Sequence, residues 1–280
     1  MKKHSSKLIV QGGTPLTGVV QVGGAKNVSY KLMIAAIAGD TKSRLLNLPE
    51  IADVKMGAKI ITELGGRAWE AGPKTMFIDP EKISASIVDG QYGSVSRAST
   101  LFIGPLLSKF KKAKVPLPGG DRIGERPLGR HLEGLEKLGV KWSHKDNFLS
   151  LDAENLQGTT YRFDKNTHTG TETLIMTAVM AEGKTILENA AEEPEVDDLI
   201  NFLNAMGARI RRRAHRVIEI EGVDKLHGAI YKVMPDRNES VSYACGAIAT
   251  KGDVVIENAR HQDLAAFIEK IEEAGGGCEV

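Results

Sequence analysis

The apolar and polar positions of this chain form a pattern that repeats. Amphipathic helical stretches end at Gly65, Gly139, Gly207 and Gly275, spaced 74, 68 and 68 residues apart. Each glycine stands where a helix wants a left-handed residue to close it. Three of these stretches follow a short apolar strand pattern that ends in asparagine: Leu45-Leu46-Asn47, Ile186-Leu187-Glu188-Asn189 and Val255-Ile256-Glu257-Asn258. Acidic residues gather at the helix starts, namely Glu50 and Asp53, Glu195 and Asp197, and Asp263. There they meet the positive end of the helix dipole. A strand pair follows the closing glycine, and then Leu-x-Gly, as in Leu156-Gln157-Gly158 and Leu226-His227-Gly228; Leu16-Thr17-Gly18 opens the first repeat in the same way. A further helix, rich in small apolar residues, comes early in the repeat (Ala35-Ala36-Ile37-Ala38, Ala178-Val179-Met180-Ala181). One repeat therefore reads strand, helix, strand, helix, strand, strand, which predicts an α/β fold of repeated units. The repeats span about 18–85, 86–158 and 159–228, and a fourth begins near 229. It stops at Val280, where its last two strands should start, so the chain is expected to be C-terminally truncated.

Composition narrows the function classes. The 280 residues carry 37 Lys plus Arg against 36 Asp plus Glu, and aromatics make up 5%. This balance gives no global attraction to nucleic acid or membrane, and base stacking is poorly supplied. No apolar run is long enough to span a bilayer, and the start, Met1-Lys2-Lys3-His4, has no apolar segment behind it. Cys245 and Cys278 form no CxxC pair, which fits a reducing cytoplasm. The histidines show no metal-ligand spacing, so no metal and no organic cofactor is expected. Arg209 to Arg216 is strongly basic but sits where each repeat has its strand pair, which predicts a solvated hairpin. Lys109 to Lys114 is expected to close a helix, where cations favour the dipole.

Candidate chemistry falls at strand-to-helix junctions. Gly23-Gly24-Ala25-Lys26-Asn27 lies between a strand and a helix pattern. It reads either as backbone opened to an anion with a lysine beside it, or as a plain turn before a solvated lysine. The loop Leu117 to Pro127 departs from its sister loops. The junction asparagines lie 17 or 18 residues before their closing glycines, whereas Pro118 lies 21 before Gly139. A repeat that breaks its own template is a functional candidate. Ser96-Arg97-Ala98-Ser99 and the stretch from Asn166 to Thr173 offer helix-start amides and hydroxyls that suit phosphate oxygens.

The strings GGAKN (23–27), SRAS (96–99), LPGG-x-x-IG-x-RP (117–127), ENAAEEPEVDDL (188–199) and MPDRNE (234–239) occur in this order. Together they resemble the UDP-N-acetylglucosamine enolpyruvyl transferases. The shikimate-pathway enolpyruvyl transferases share the repeat, but carry a Lys-Ser pair where this chain has Lys26-Asn27. The resemblance implies an inverted α/β barrel fold, with a first domain of three repeats at 27–233 and a partial second domain of 1–26 plus 234–280.

It also implies a reaction: transfer of enolpyruvyl from phosphoenolpyruvate to the 3-hydroxyl of UDP-N-acetylglucosamine, with release of phosphate. That is the first committed step of peptidoglycan precursor synthesis. By the same resemblance Lys26, Arg97 and Arg126 hold the carboxylate and phosphate of phosphoenolpyruvate, Asn27 holds the tetrahedral intermediate, and Asp121 stands where the family usually has a cysteine as general acid. Pro127, Leu128, Gly129 and Arg130, with Lys165, Thr167, His168 and Thr169, match the sugar-nucleotide segments. The Lys165-to-Gly170 segment is about one residue longer than the family pattern. The family's sugar-deprotonating aspartate and its late arginine have no counterpart before Val280. A sugar-nucleotide-binding fragment without chemistry is therefore the alternative.

Overall fold

The computed structural model describes residues 7–93, 97–117 and 128–279, with the side chains of 97 and 98 left aside. In chain order, β1 (Thr17–Gln21) comes first. The first repeat then runs through α1 (Lys26–Ala35), β2 (Ser43–Leu46), α2 (Ala52–Glu63), β3 (Arg67–Glu70) and β4 (Thr75–Asp79). The second has α3 (Ile103–Phe110), β5 (Lys112–Pro116), α4 (Gly129–Lys137), β6 (Lys141–Lys145) and β7 (Phe148–Asp152). The third has β8 (Thr160–Arg162), α5 (His168–Ala178), β9 (Lys184–Glu188), α6 (Pro194–Ala205), β10 (Arg209–Ala214) and β11 (Val217–Glu221). After β12 (Ile230–Lys232) come α7 (Arg237–Ala249), β13 (Asp253–Glu257) and α8 (Ala265–Glu273). The chain divides into two compact units, Gly24–Met234 and Met1–Gly23 with Pro235–Val280.

In the larger unit each repeat contributes one sheet: β12-β2-β4-β3, β5-β7-β6 and β8-β9-β11-β10. The first strand of a repeat lies parallel to the strand after the buried helix (β8 with β9, β12 with β2), and the hairpins are antiparallel. In the second repeat the parallel strand shrinks to a single bridge between Ile87 and Lys114. Helices α1, α3 and α5 supply the core and are buried nearly all round, from Val28 to Ala35, Ile103 to Ser108 and Gly170 to Ala178. Most of those residues are apolar or small, which allows that; Lys31 and Glu172 are the charged exceptions. Helices α2, α4 and α6 bury one face, through Ile60 and Ile61, Leu135, and Leu199 with Phe202 and Leu203. The closing glycines are left-handed as expected, with φ of 100° at Gly65 and Gly207, 91° at Gly139 and 83° at Gly275.

The boundaries of the repeats differ from the sequence reading. β1 does not open the first repeat; it pairs in parallel with β13, Thr17 opposite Asp253. β12, near the start expected for the fourth repeat, instead closes the first sheet on β2. The junction asparagines explain the exchange. Asn47, Asn189 and Asn258 are left-handed (φ 61°, 52° and 61°). Each side-chain amide donates to the carbonyl just past the parallel strand: Val233 at 3.0 Å, Phe163 at 2.9 Å and Val22 at 2.9 Å. Asparagine tolerates this backbone and carries the amide that locks the pair, so one residue type serves both needs. The pattern marks the second strand of each pair but cannot say which strand comes to meet it.

In the smaller unit β1 and β13 form a two-stranded sheet beside α7. The Asp236 side chain caps α7, accepting from the amides of Asn238 at 2.8 Å and Glu239 at 3.2 Å. Of α7 only Ser240 and Ala247 are buried, and of α8 only Ile271.

The two basic stretches resolve differently. The basic segment forms the β10–β11 hairpin, with Arg211 on Glu219 at 2.6 Å, Arg209 on Glu221 at 2.7 Å and Arg212 on Asp197 at 2.5 Å. The lysine run does not simply close a helix. α3 ends at Phe110, Lys111 is its left-handed C-cap, and Lys112 and Lys114 lie on β5. Among the described residues no helix is long and apolar enough to cross a membrane.

Candidate functional site

Everything described here belongs to the larger unit. α1 starts at Lys26 with Ala25 as its N-cap, which has no capping side chain; the Ala25 amide donates instead to the Met234 carbonyl at 2.8 Å. Gly24 serves packing. A Cβ there would stand 1.7 Å from the Asn47 carbonyl oxygen, so the glycine admits backbone. Lys26 is largely exposed, with Nζ 3.8 Å from Asp53 Oδ2 on α2, and Asn27 is exposed beside it.

The starts of α4 and α5 meet. Leu128 is the half-buried N-cap of α4, and Gly129 and Arg130 form its first turn. Thr167 caps α5, its hydroxyl accepting from the Gly170 amide at 3.3 Å. Arg130 grips Asp164 through Nε at 2.5 Å and a second nitrogen at 3.2 Å. That guanidinium, helped by the Lys165 amide at 2.6 Å, holds the Asp164 carboxyl below the usual carboxylate range. His131 and Thr169 are 3.1 Å apart through Nε2 and Oγ1. Beneath them the Tyr161 hydroxyl donates toward Glu133 at 3.2 Å; burial, then the Glu133 charge, pushes it up to about 12.

A buried charged group ties α1 to the start of α5. Lys31 Nζ lies 2.7 Å from Glu172 Oε1 and 3.2 Å from His168 Nε2, and His168 Nε2 is 3.1 Å from the same carboxylate oxygen. The Glu172 side chain is fully buried and that of Lys31 is 9% exposed, whereas His168 keeps 25%. Such a pair persists in a core only when closely matched, because each charge alone would be costly there.

The structure thus brings Leu128, Gly129, Arg130, Thr167, His168 and Thr169 together, with exposed Lys165 adjoining them. Lys26 and Asn27 stand at the start of α1, the helix that also carries Lys31. Arg97 opens a 3-10 segment, Arg97–Phe102, ahead of α3. Asp121, Arg126 and Pro127 lie outside the described residues, and so does the long loop that carries them. Two adjacent helix starts with exposed hydroxyls and cations suit an anionic group with several oxygens. Sequence reasoning missed Lys31, Glu172, Asp164 and His131. The signal for the first two is present: each is the only charged residue in its helix beyond the first turn.

A family model described as EPSP synthase (3-phosphoshikimate 1-carboxyvinyltransferase) matches residues 10–280. The chain belongs to the EPSP synthase family. Among curated relatives of this EPSP synthase family chain, a UDP-N-acetylglucosamine 1-carboxyvinyltransferase 3 from Caldanaerobacter subterraneus subsp. tengcongensis is 42% identical over 269 residues. A UDP-N-acetylglucosamine 1-carboxyvinyltransferase from Gluconobacter oxydans is 43% identical over 272. Each alignment takes in 96% of this chain and 64% of the relative, so the chain spans just under two thirds of the relatives' length. Two solved structures share the fold. The enolpyruvyl transferase NikO from Streptomyces tendae has a TM-score of 0.73 at 21% identity, over 84% of this chain and 55% of that one. An EPSP synthase from Acinetobacter baumannii has 0.73 at 18%, over 94% and 61%. The repeated units of this EPSP synthase family member are the enolpyruvyl transferase fold.

Proposed function

We propose that this chain acts in transfer of enolpyruvyl from phosphoenolpyruvate to the 3-hydroxyl of UDP-N-acetylglucosamine, as a cytoplasmic step in peptidoglycan precursor synthesis. The observation that carries the reading is the 42–43% identity to UDP-N-acetylglucosamine 1-carboxyvinyltransferases along 96% of the chain. The joined starts of α4 and α5 support it, since they present amides, Arg130, Lys165 and Thr169 where a sugar nucleotide's diphosphate needs donors.

In this reading Lys26, Arg97 and Arg126 neutralise phosphoenolpyruvate, and Asn27 holds the tetrahedral adduct. Asp121 protonates the methylene carbon as the sugar oxygen gives up its own proton and adds to the adjacent carbon; the new methyl group then returns a proton as phosphate leaves and the double bond re-forms. An aspartate is ordinarily ionised at neutral pH. Asp121 therefore acts as an acid only once water is excluded and the anionic substrate offsets Arg122 and Arg126. A carboxylate is also a poor nucleophile toward the epoxide fosfomycin, which alkylates the cysteine usual at this place.

Phosphate release from phosphoenolpyruvate, dependent on UDP-N-acetylglucosamine, tests the reading. Turnover should vanish in Asp121→Asn, and Asp121→Cys should keep turnover while gaining a fosfomycin adduct by mass spectrometry. Full turnover by Asp121→Asn contradicts the assigned acid. A chain that binds UDP-N-acetylglucosamine but releases no phosphate is the binding unit of the alternative reading.

A further inference from the structure

The buried group beneath the α5 start has one feature that the proposed chemistry does not use. His168 Nε2 faces both the Lys31 ammonium (3.2 Å) and Glu172 Oε1 (3.1 Å), and these cannot both be hydrogen bonds to a neutral ring. If Nε2 carried the proton, two N–H donors would confront each other, and the buried ammonium would be left with Glu172 as its one acceptor. If Nε2 is the lone-pair nitrogen, Lys31 donates to it and to Glu172 Oε1 at 2.7 Å, so two of its three protons are satisfied. That choice sets the lone pair 3.1 Å from Glu172 Oε1, but the ammonium bonds both atoms, and leaving the buried cation's donors unmade is the costlier choice. The proton then sits on Nδ1. That nitrogen is not among the buried polar atoms lacking a partner, and among the described residues it has no hydrogen-bond acceptor. Its acceptor must come from beyond the described residues, and His168 keeps 25% of its side chain exposed.

We infer that Lys31 and Glu172 are positioning residues: they fix His168 as the neutral Nδ1–H tautomer and so present one N–H donor to an oxygen of the nucleoside diphosphate. The inference rests on the sugar-nucleotide reading above. It assigns a specificity role to two core residues of α1 and α5 that themselves touch no ligand. A phosphate oxygen or other acceptor can take this donor, whereas an ammonium or amide N–H at the same place is refused.

The test joins a spectroscopic readout to a binding one. In full-length chain with 15N-labelled histidine, at about pH 8 where a free imidazole is neutral, the ring nitrogen shifts report the tautomer; His168→Asn identifies the signals. The wild type should show Nδ1–H. Lys31→Met should switch the ring to Nε2–H, bonded to Glu172, and weaken UDP-N-acetylglucosamine about tenfold by calorimetry. Because Lys31→Met leaves a buried carboxylate, Lys31→Met with Glu172→Leu provides an apolar pair that folds, and it should show the same switch and the same loss. An Nε2–H ring in the wild type, an unchanged tautomer in both variants, or a switch without loss of affinity would overturn the inference. Failure of the wild type to bind UDP-N-acetylglucosamine overturns the function reading instead, and the nitrogen shifts still decide the tautomer.

Discussion

Helices α5 and α7 occupy the same place in their repeats, yet α5 is buried from Gly170 to Ala178 while α7 buries only Ser240 and Ala247. Each precedes a strand closed by a left-handed asparagine, β9 at Asn189 and β13 at Asn258. What differs is the company. α5 packs against α3, α4 and α6 within a unit that holds three sheets, whereas α7 packs against the single strand β13. A repeat of this kind does not bury its inner helix by its own sequence; neighbouring repeats do so. Val19 at 64% and Val255 at 56% exposure show the same for the strands of the smaller unit.

The comparison can be broken most forcefully in the core. Leu174 is fully buried on α5, so Leu174→Ala should cost about 2–5 kcal/mol in denaturant unfolding. Ile248 on α7 is 44% exposed, and Ile248→Ala should cost less than about 1 kcal/mol. Equal losses would mean that the two helices share one cooperative core. Hydrogen exchange should agree, with amides of α1, α3 and α5 protected well above those of α7 and α8.

The asparagine lock gives a smaller and sharper effect. Asn189→Ala removes the amide bond to the Phe163 carbonyl and places a Cβ residue at φ 52°, for about 2 kcal/mol. Asn189→Gly loses the bond but not the backbone freedom, so it should cost about half as much. If alanine and glycine are equivalent in thermal unfolding, the left-handed backbone is not what the residue is kept for.

These residues also show what could be read from sequence. Glycine closures and asparagine junctions are local, set by a backbone angle, and so visible as spacing. The partner of each asparagine is a long-range choice: Val22 lies 236 residues from Asn258, and nothing local encodes that pairing. For the same reason the repeat pattern alone puts the strand in front of α1 in the first repeat, whereas it pairs with β13. In the site, Thr167 and His168 are legible as helix-start residues, and Arg130 only through the family resemblance. Lys31 and Glu172 are not, because 141 residues separate them and each is hidden inside an apolar helix.

The smallest effect lies at the surface of the site. Arg130 holds the Asp164 carboxyl below its ordinary 3.8 in the folded chain. The sign follows: any stabilisation from this pair is present above that ordinary value and fades as pH falls through the lowered one. Because Asp164 is exposed, the stability change should be slight, and NMR of the carboxyl carbon is the suitable probe. The titration should move up toward the ordinary value in Arg130→Ala; an unmoved midpoint would mean that the two side chains part in solution.

The central claim is that the starts of α4 and α5 receive a sugar nucleotide. Titrating the 15N-labelled chain with UDP-N-acetylglucosamine, and separately with shikimate 3-phosphate, tests it most directly. The account predicts that UDP-N-acetylglucosamine shifts the amides of 128–131 and 165–172 and that shikimate 3-phosphate leaves them in place. Shifts there with shikimate 3-phosphate alone, or shifts with the nucleotide confined to the outer sheet strands, would contradict it.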